Sequence, residues 1–152
     1  MKKLAYYLLG ALLVLCAASI ALADQAEEVK EMVDKAADLF AEKGNDYALK
    51  LLNSSSGPFR KGEVYVFAIN MEGITLAHPV NRDLVGQSVM DLKDANGKFF
   101  SREFIEVAKT QGAGWVDYWW LRHGEKEPTL KRSYIRNVPG QNVVIGAGYY
   151  VK

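Results

Sequence analysis

Residues 63–79, EVYVFAINMEGITLAHP, predict two strands joined by a tight turn. The first strand, Glu63–Ile69, is apolar on both of its faces, which is typical of a strand covered on two sides. Residues 70–73 (NMEG) have the composition of a turn. The second strand, Ile74–His78, ends at Pro79 because proline cannot donate to a strand ladder. This stretch therefore predicts an antiparallel hairpin inside a sheet that is packed on both faces.

The segment before the hairpin, Ala26–Leu52, has apolar residues at helical spacing. Residues 42–46 (EKGND) interrupt it, because Gly44 can end one helix in the left-handed conformation and Asn45 can cap the next. We therefore predict a long, interrupted helix that packs on the sheet through one face, which comprises Val29, Val33, Ala36, Phe40, Gly44, Tyr47 and Leu51.

The segment after the hairpin predicts two short helices, Leu84–Leu92 and Phe99–Thr110, around a turn at residues 94–97 (DANG). Three strands then complete the chain: Gly114–Leu121, Thr129–Asn137 and Asn142–Val151. A helix followed by about five strands with antiparallel hairpins predicts an α+β fold, with a long N-terminal helix packed on a central antiparallel sheet.

The start of the chain has the three-part layout of a secretory signal peptide. Lys2 and Lys3 are followed by the apolar stretch Leu4–Ile20, and residues 21–23 (ALA) place small residues just before Asp24. We predict a cleaved signal peptide at residues 1–23, one domain at residues 24–152, and a periplasmic location. The apolar stretch is shorter than a membrane span of about 20 residues, so an uncleaved anchor in the inner membrane is the second hypothesis.

Composition excludes several classes of function. Cys16 is the only cysteine and lies in the signal segment, so residues 24–152 contain neither a disulfide nor a thiol nucleophile. Removal of Lys2 and Lys3 changes the basic count from 19 to 17 against 18 acidic residues. A near-neutral chain without a basic stripe is not expected to bind nucleic acid.

Five blocks of this sequence, in this order, resemble the single Cache domains of bacterial chemoreceptors and sensor kinases, most closely the second single-Cache subfamily. The resemblance implies a PAS-like extracytoplasmic sensor with a small-molecule pocket between the sheet and the overlying helices and loops. The blocks are EVYVFAINMEGITLAHP at Glu63–Pro79, LVGQSVMDLKDANGKFF at Leu84–Phe100, GAGWVDYWW at Gly112–Trp120, KRSYI at Lys131–Ile135 and VVIGAGYY at Val143–Tyr150.

His78 and Lys131 are the candidates for binding an anionic ligand. An imidazole can donate or accept a hydrogen bond and titrates near neutrality, although a structural histidine bonded to a loop carbonyl is the alternative. Lys131 lies in a predicted strand, where a buried ammonium is costly without a counter-charge. It must therefore reach solvent, pair internally or bind an anion. The Cache resemblance favours ligand contact for both residues.

Aromatic residues of the third and first strands are the candidates for the pocket walls. Tyr118 and Trp120 lie two apart and point to the same strand face, where they build apolar walls with polar tips or simply pack in the core. Trp115 and Trp119 take the opposite face, where we expect packing beneath a helix.

Three further tyrosine and phenylalanine positions complete the candidate pocket. Tyr65 and Phe67 share one face of the first strand, as core residues or as the pocket floor. Tyr134 is a candidate orienting donor, but its strand parity is opposite to that of Lys131. Both can face one pocket only if a bulge or a twist lies between them.

No motif in the sequence indicates a metal centre or a catalytic site. Alignment of Gly97 with the invariant glycine of a calcium loop puts Leu92 where the first carboxylate ligand belongs. His78 and His123 are the only histidines and lie far apart in the sequence. The sequence contains no nucleophile elbow or phosphate-binding loop, so we predict no enzymatic activity, cofactor or metal.

The Cache resemblance, together with the candidate residues, therefore implies an extracytoplasmic domain of signal transduction or chemotaxis that binds a small organic anion, most simply a carboxylate. The alternative is a ligand-free interaction module that docks on a membrane-bound receptor or histidine kinase. The Cache resemblance also implies that a homodimer can form through the N-terminal helix.

Overall fold

The computed structural model describes the backbone of residues 2–151 and the side chains of residues 23–151. The apolar stretch of the predicted signal peptide, with Cys16, lies outside the described side chains, so cleavage before Asp24 stays a prediction. Within the part of the chain described with side chains, no helix is both long and apolar enough to cross a membrane.

Two helices begin the chain, α1 (Lys2–Lys43) and α2 (Asn45–Leu52), with the predicted break between them. Gly44 has a φ of 77°, a region that residues with a Cβ rarely adopt, and it is the N-cap of α2. The prediction that Asn45 caps α2 is wrong, because Asn45 is already the first helical residue.

The predicted apolar face is confirmed for α1 but not for α2. In α1, the side chains of Val29, Val33, Ala36 and Phe40 are buried. In α2, Tyr47 is exposed and Leu51 is half-buried, and the core positions are instead Ala48 and Leu52. The break at Gly44 changes the phase of the helix, so a single 3.6-residue period does not extend across it.

The strands form one antiparallel sheet in the spatial order β1-β2-β6-β5-β4. Its last strand, β6, lies in the centre between β2 and β5, whereas β3 pairs with the edge of β2 that β1 also uses. The strands are β1 (Arg60–Lys61), β2 (Val64–Ile69), β3 (Thr75–Ala77), β4 (Ala113–Leu121), β5 (Pro128–Asn137) and β6 (Val144–Tyr150). The predicted α+β class and the central antiparallel sheet are confirmed.

Only one of the two predicted short helices is present, α3 at Phe100–Thr110. The predicted helix at Leu84–Leu92 is wrong, because a 3-10 turn ends at Leu84 and the following chain pairs with the segment around β3. The backbone N–H of Thr75 donates to Gln87 at 2.9 Å, and that of Gly86 donates to Thr75 at 2.8 Å. These long-range bonds replace the local ones of a helix.

The sheet separates two apolar clusters. The α1 face is the face covered by α1 and α2, and its strand residues include Val66, Ile145 and Ala147. The α3 face is covered by α3 and the 84–92 loop, and it presents Tyr65, Phe67, Ile69, Val116, Tyr118, Ile135 and Val144. Successive residues of one strand alternate between these faces because the side-chain period of a strand is two.

Trp115 and Trp119 do not lie beneath a helix, as predicted, but are 37% and 38% exposed. Helix α1 packs against β2, β5 and β6, and β4 is the edge strand beyond them. Trp115 packs instead against the rings of Tyr134 and Tyr149, at centroid distances of 5.2 and 6.1 Å. The edge position of β4 therefore leaves both indoles in contact with solvent.

Candidate ligand-binding site

A small cavity of about 30 Å³, here called the inner cavity, lies on the α3 face between the sheet, α3 and the 84–92 loop. A cavity of this size holds about two water-sized groups. Most of its walls are aromatic or aliphatic, which suits a small ligand with an apolar body. Its lining residues are Tyr65, Phe67, Ile69, Thr75, His78, Leu84, Val89, Leu92, Phe100, Ser101, Phe104, Tyr118 and Trp120.

A larger cavity of about 330 Å³, here called the outer cavity, adjoins it. Tyr65, His78 and Trp120 line both cavities and so form the wall between them. The other residues of the outer cavity are more polar: Arg60, Gly62, Glu63, Val80, Asn81, Leu121, Arg122, His123, Gly124 and Tyr150. The two cavities thus adjoin at these three residues.

The ammonium of Lys131 is fully buried beside this wall. Its Nζ donates to the Tyr65 hydroxyl at 3.0 Å and lies 4.1 and 5.3 Å from the ring centroids of Tyr65 and Tyr150. Among the residues described with side chains, no carboxylate is within ion-pair distance of this nitrogen. Burial lowers the pKa of Lys131 to about 7, and the Glu63 carboxylate opposes this shift.

Lys131 does not itself line either cavity, although it was predicted to contact the ligand. It lies one hydrogen bond from the cavity wall, because its partner Tyr65 lines both cavities. Burial raises the pKa of Tyr65 to about 12, so the phenol is neutral and keeps a proton to donate. The Tyr65 O–H can therefore donate into a cavity while its oxygen accepts from the ammonium.

His78 is buried in the same wall, in the loop that follows β3. Its Nδ1 accepts the backbone N–H of Asn81 at 2.9 Å, which leaves the proton of the neutral ring on Nε2. Burial lowers the pKa of His78 to about 4, and the Lys131 charge contributes to this shift. Near neutral pH the imidazole is thus an uncharged donor, held in position by a loop amide.

The predicted aromatic walls are brought together around the inner cavity. Tyr118 stacks on Phe100 with a centroid distance of 4.7 Å, and Trp120 meets Phe100 edge-on at 5.3 Å. Phe67 packs against Phe104 at 5.6 Å and lies 6.4 Å from the His78 ring. Edge-on and offset contacts of this kind make rigid apolar walls.

Tyr134 does not belong to this site. The pairing of β4 with β5 continues from Leu121↔Pro128 to Ala113↔Arg136 without a bulge, so the strand parity is kept. Tyr134 therefore points to the α1 face, where it packs with Trp115, while Lys131 points to the α3 face. The prediction that both face one pocket is wrong for this reason.

The turn at residues 94–97 ties a loop to the sheet. Asp94 Oδ1 accepts the backbone N–H groups of Asn96 and Lys98, each at 2.9 Å, and its Oδ2 accepts that of Trp119 at 3.0 Å. Burial raises the pKa of Asp94, but the three hydrogen bonds lower it, and the resulting pKa lies below its usual value. In the part of the chain described with side chains, no three His, Cys, Asp or Glu residues converge as metal ligands would.

The model of the family described as a Cache domain, dCache_2, matches residues 19–152. The chain belongs to the Cache domain family. The resemblance to Cache domains that the sequence blocks carry is therefore confirmed. Over 76 residues, this Cache domain is 36% identical to methyl-accepting chemotaxis protein McpP of Pseudomonas putida; the match covers 50% of this chain and 14% of that receptor.

Solved structures of Cache chemosensory domains share the fold. A periplasmic sensor domain of a chemotaxis protein is 27% identical, with a TM-score of 0.70 over 87% of this chain and 98% of that one. A Cache chemosensory domain described for carboxylic acid recognition is 26% identical, with a TM-score of 0.74 over 88% and 98% of the two chains. The protein is thus a Cache sensor domain related to the periplasmic domains of chemotaxis receptors.

Several residues that line the cavities of this Cache domain were not predicted from the sequence. The spacing of Phe100 and Phe104 on the apolar side of α3 could have indicated them. Tyr150 pairs with Lys131 in the sheet, a neighbour that depends on the central position of β6. Thr75 and Ser101 carried no signal, because their residue types are common in turns and helix starts.

Proposed function

We propose that this Cache domain is an extracytoplasmic sensor that binds a small organic carboxylate at the wall between its two cavities. The main support for this proposal is the Lys131 ammonium, which is fully buried without a counter-charge among the described side chains. A buried cation of this kind is costly until an anion neutralises it. Its neighbours Tyr65 and His78 supply two neutral donors at the same wall.

In this proposal, the residues at the wall contact different parts of the ligand. The carboxylate accepts hydrogen bonds from the Tyr65 O–H and from His78 Nε2, and Lys131 supplies the compensating charge. Phe67, Tyr118 and Trp120 contact the apolar body of the ligand. No group of this set acts as a nucleophile, so we propose binding without turnover.

The size of the ligand limits the affinity. A four-atom acid such as acetate gains at most about 6 kcal/mol, from a ceiling near 1.5 kcal/mol per heavy atom, and its dissociation constant is then about tens of micromolar. Titrations therefore need ligand concentrations that reach the millimolar range.

Isothermal titration calorimetry with propionate and its uncharged isostere propionamide tests this proposal. We expect propionate to bind and propionamide to bind far more weakly. Lys131→Met should weaken propionate binding by about tenfold or more, because it removes the charge that compensates the buried carboxylate, and a loss of about 1.4 kcal/mol is already tenfold in affinity. The matched control is Arg132→Met, the next residue on the exposed side of β5, which should leave the affinity unchanged. Absence of propionate binding, or equal affinity in Lys131→Met, contradicts the proposal.

We further propose that residues 1–23 direct export to the periplasm and are then cleaved off. Mass spectrometry of the protein from its native host should then give a mature chain that begins at Asp24. An intact N-terminus in the membrane fraction would favour the uncleaved anchor.

An interaction module that docks on a membrane-bound receptor or kinase is the second candidate. It is favoured by exposed apolar side chains on one face of the edge strand β4, Trp115, Trp119 and Leu121. This candidate predicts that no small acid changes the thermal stability of the protein, and that Trp119→Ser abolishes association with the partner.

A further inference from the structure

Thr75 lines the inner cavity, and its buried hydroxyl has no hydrogen-bond partner. The side chain is 3% exposed, and its Oγ1 makes no hydrogen bond. Its backbone is held on both sides, since its N–H donates to Gln87 at 2.9 Å and its carbonyl accepts from Gly86 at 2.8 Å. Strand β3 therefore fixes this hydroxyl in place but leaves it unsatisfied.

Ser101 carries a second such hydroxyl on a different element. The side chain is 1% exposed in the first turn of α3, and its Oγ also makes no hydrogen bond. Ser101 is the second residue of α3, so no preceding helical turn supplies a carbonyl to which its hydroxyl could bond back. The next residue, Arg102, bonds to the Met90 carbonyl at 2.9 Å and to Asp91 at 2.7 Å, which anchors this end of the helix.

Two unpartnered hydroxyls in one small cavity need an explanation, because buried polar groups are nearly always hydrogen-bonded. The other hydroxyls of the lining have partners: Tyr118 pairs with Ser133 at 3.2 Å and Tyr65 with Lys131 at 3.0 Å. Thr75 and Ser101 are therefore free to donate to, or accept from, a group that occupies the cavity.

We infer that Thr75 and Ser101 form a second polar subsite, which selects short monocarboxylic acids that carry a hydroxyl or keto oxygen on the chain. The inference rests on the proposed function, in which the carboxylate binds at the wall of Tyr65 and His78. The two hydroxyls then pair with the hydroxyl or keto oxygen that the ligand carries on its chain. A second carboxylate does not fit this subsite, because a buried anion there would lack a counter-charge among the described residues.

Calorimetric titrations with matched acids test this subsite. The pairs are propionate with lactate, and butyrate with 3-hydroxybutyrate, because each pair differs by one hydroxyl. Wild-type protein should bind the hydroxylated member of at least one pair roughly three- to tenfold more tightly, the gain expected of one neutral hydrogen bond. Succinate should bind more weakly than butyrate.

Thr75→Val and Ser101→Ala remove the hydroxyls with little change in shape. Each variant should reduce the preference to less than about twofold while its affinity for the plain acid stays the same. The control is Thr110→Val on the same helix as Ser101, where the hydroxyl donates to the Glu106 carbonyl at 2.8 Å on the exposed side. This control should keep the wild-type preference.

The melting temperature of the ligand-free variants gives an independent measurement. Removal of an unpartnered hydroxyl should leave the melting temperature equal or higher, so a clear decrease in both variants overturns the inference. Equal binding of both members of each pair by wild-type protein also overturns it, as does an unchanged preference in both variants. If no acid binds to wild-type protein, the proposed function itself fails.

Discussion

The two faces of the central sheet consist of the same strands but differ in composition and packing. On the α1 face, aliphatic side chains of α1 and the strands pack closely around Phe40, and charged groups pair at its edge, as Lys30 does with Asp34 at 2.8 Å. On the α3 face, aromatic rings enclose a cavity, and the lysine beside it has no carboxylate partner among the described side chains.

Under the proposed function, this difference separates the residues that stabilise the domain from those that bind the ligand. A buried ammonium and unpartnered hydroxyls reduce the free energy of unfolding, and they persist only if other contacts compensate. The α1 face supplies that compensation through apolar burial. We therefore expect substitutions on the α1 face to lower stability without changing affinity. Substitutions of the buried polar groups near the cavity should lower affinity or change ligand preference, and should leave stability equal or higher.

The largest effect is expected for Phe40→Ala on the α1 face. Phe40 is 1% exposed, and loss of a buried phenylalanine ring costs about 3–5 kcal/mol of the free energy of unfolding. Urea denaturation measures this loss, and calorimetry at low temperature should show unchanged propionate affinity in the folded protein. A loss below about 1 kcal/mol would mean that this face is not the main core.

Lys131→Met should have the opposite effect on stability. Replacement of a buried charged group by an apolar one of similar volume stabilises a protein by about 1–4 kcal/mol. The folded-state pKa of about 7 lies below the unfolded value of 10.5, so the unfolded chain binds more protons between these values. Wild-type stability should therefore rise with pH across this window, and the variant should lack the rise.

Denaturation of both proteins at pH 6 and pH 10 measures this difference. The gap between Lys131→Met and wild type should be widest at pH 6 and should shrink at pH 10. A gap independent of pH would mean that Lys131 stays charged in the folded protein throughout.

Ligand affinity should depend on the same proton. Only the ammonium form of Lys131 compensates a carboxylate, so propionate affinity should fall about tenfold per pH unit above pH 7. His78, with a pKa of about 4, remains neutral in this range and does not contribute. Titrations at pH 6.5, 7.5 and 8.5 provide the measurement. A constant affinity over these three values would exclude proton-coupled binding.

The smallest effect is expected for the ion pair between Arg132 and Asp117, which faces solvent across the β4–β5 hairpin. Its two bonds, 2.7 and 2.8 Å, have good geometry, but the side chains are 47% and 41% exposed. Arg132→Met should cost less than about 1 kcal/mol, and high salt should reduce the difference further. A loss of more than about 1 kcal/mol would mean that the edge strand β4 contributes more to stability than we expect from the comparison of the two faces.

Much of the fold was predictable from local patterns. The hairpin around residues 70–73, the break at Gly44 and the last three strands all follow from period and turn composition. The segment Leu84–Leu92 was mispredicted, because its backbone groups pair with residues around β3 rather than with each other. Local propensity is a weak guide where long-range hydrogen bonds take the place of helical ones.

The candidate site was predictable in part. The two-residue period places Tyr118 and Trp120 on one face, and both line the inner cavity. The same period argued against Tyr134, and the unbroken pairing of β4 with β5 keeps it on the other face. Thr75 and Ser101 required the structure, because only the tertiary fold brings these two residues to one cavity.

The sequence by itself determined which residues of each strand and of the unbroken part of α1 share a face, since that depends only on backbone period. Only the tertiary structure decided that β6 lies between β2 and β5, and therefore that Lys131 is buried beside Tyr65 and Tyr150. The physical reason is that the order of strands in a sheet depends on contacts between residues that are distant in sequence. The burial and pKa of a charged group depend on those neighbours.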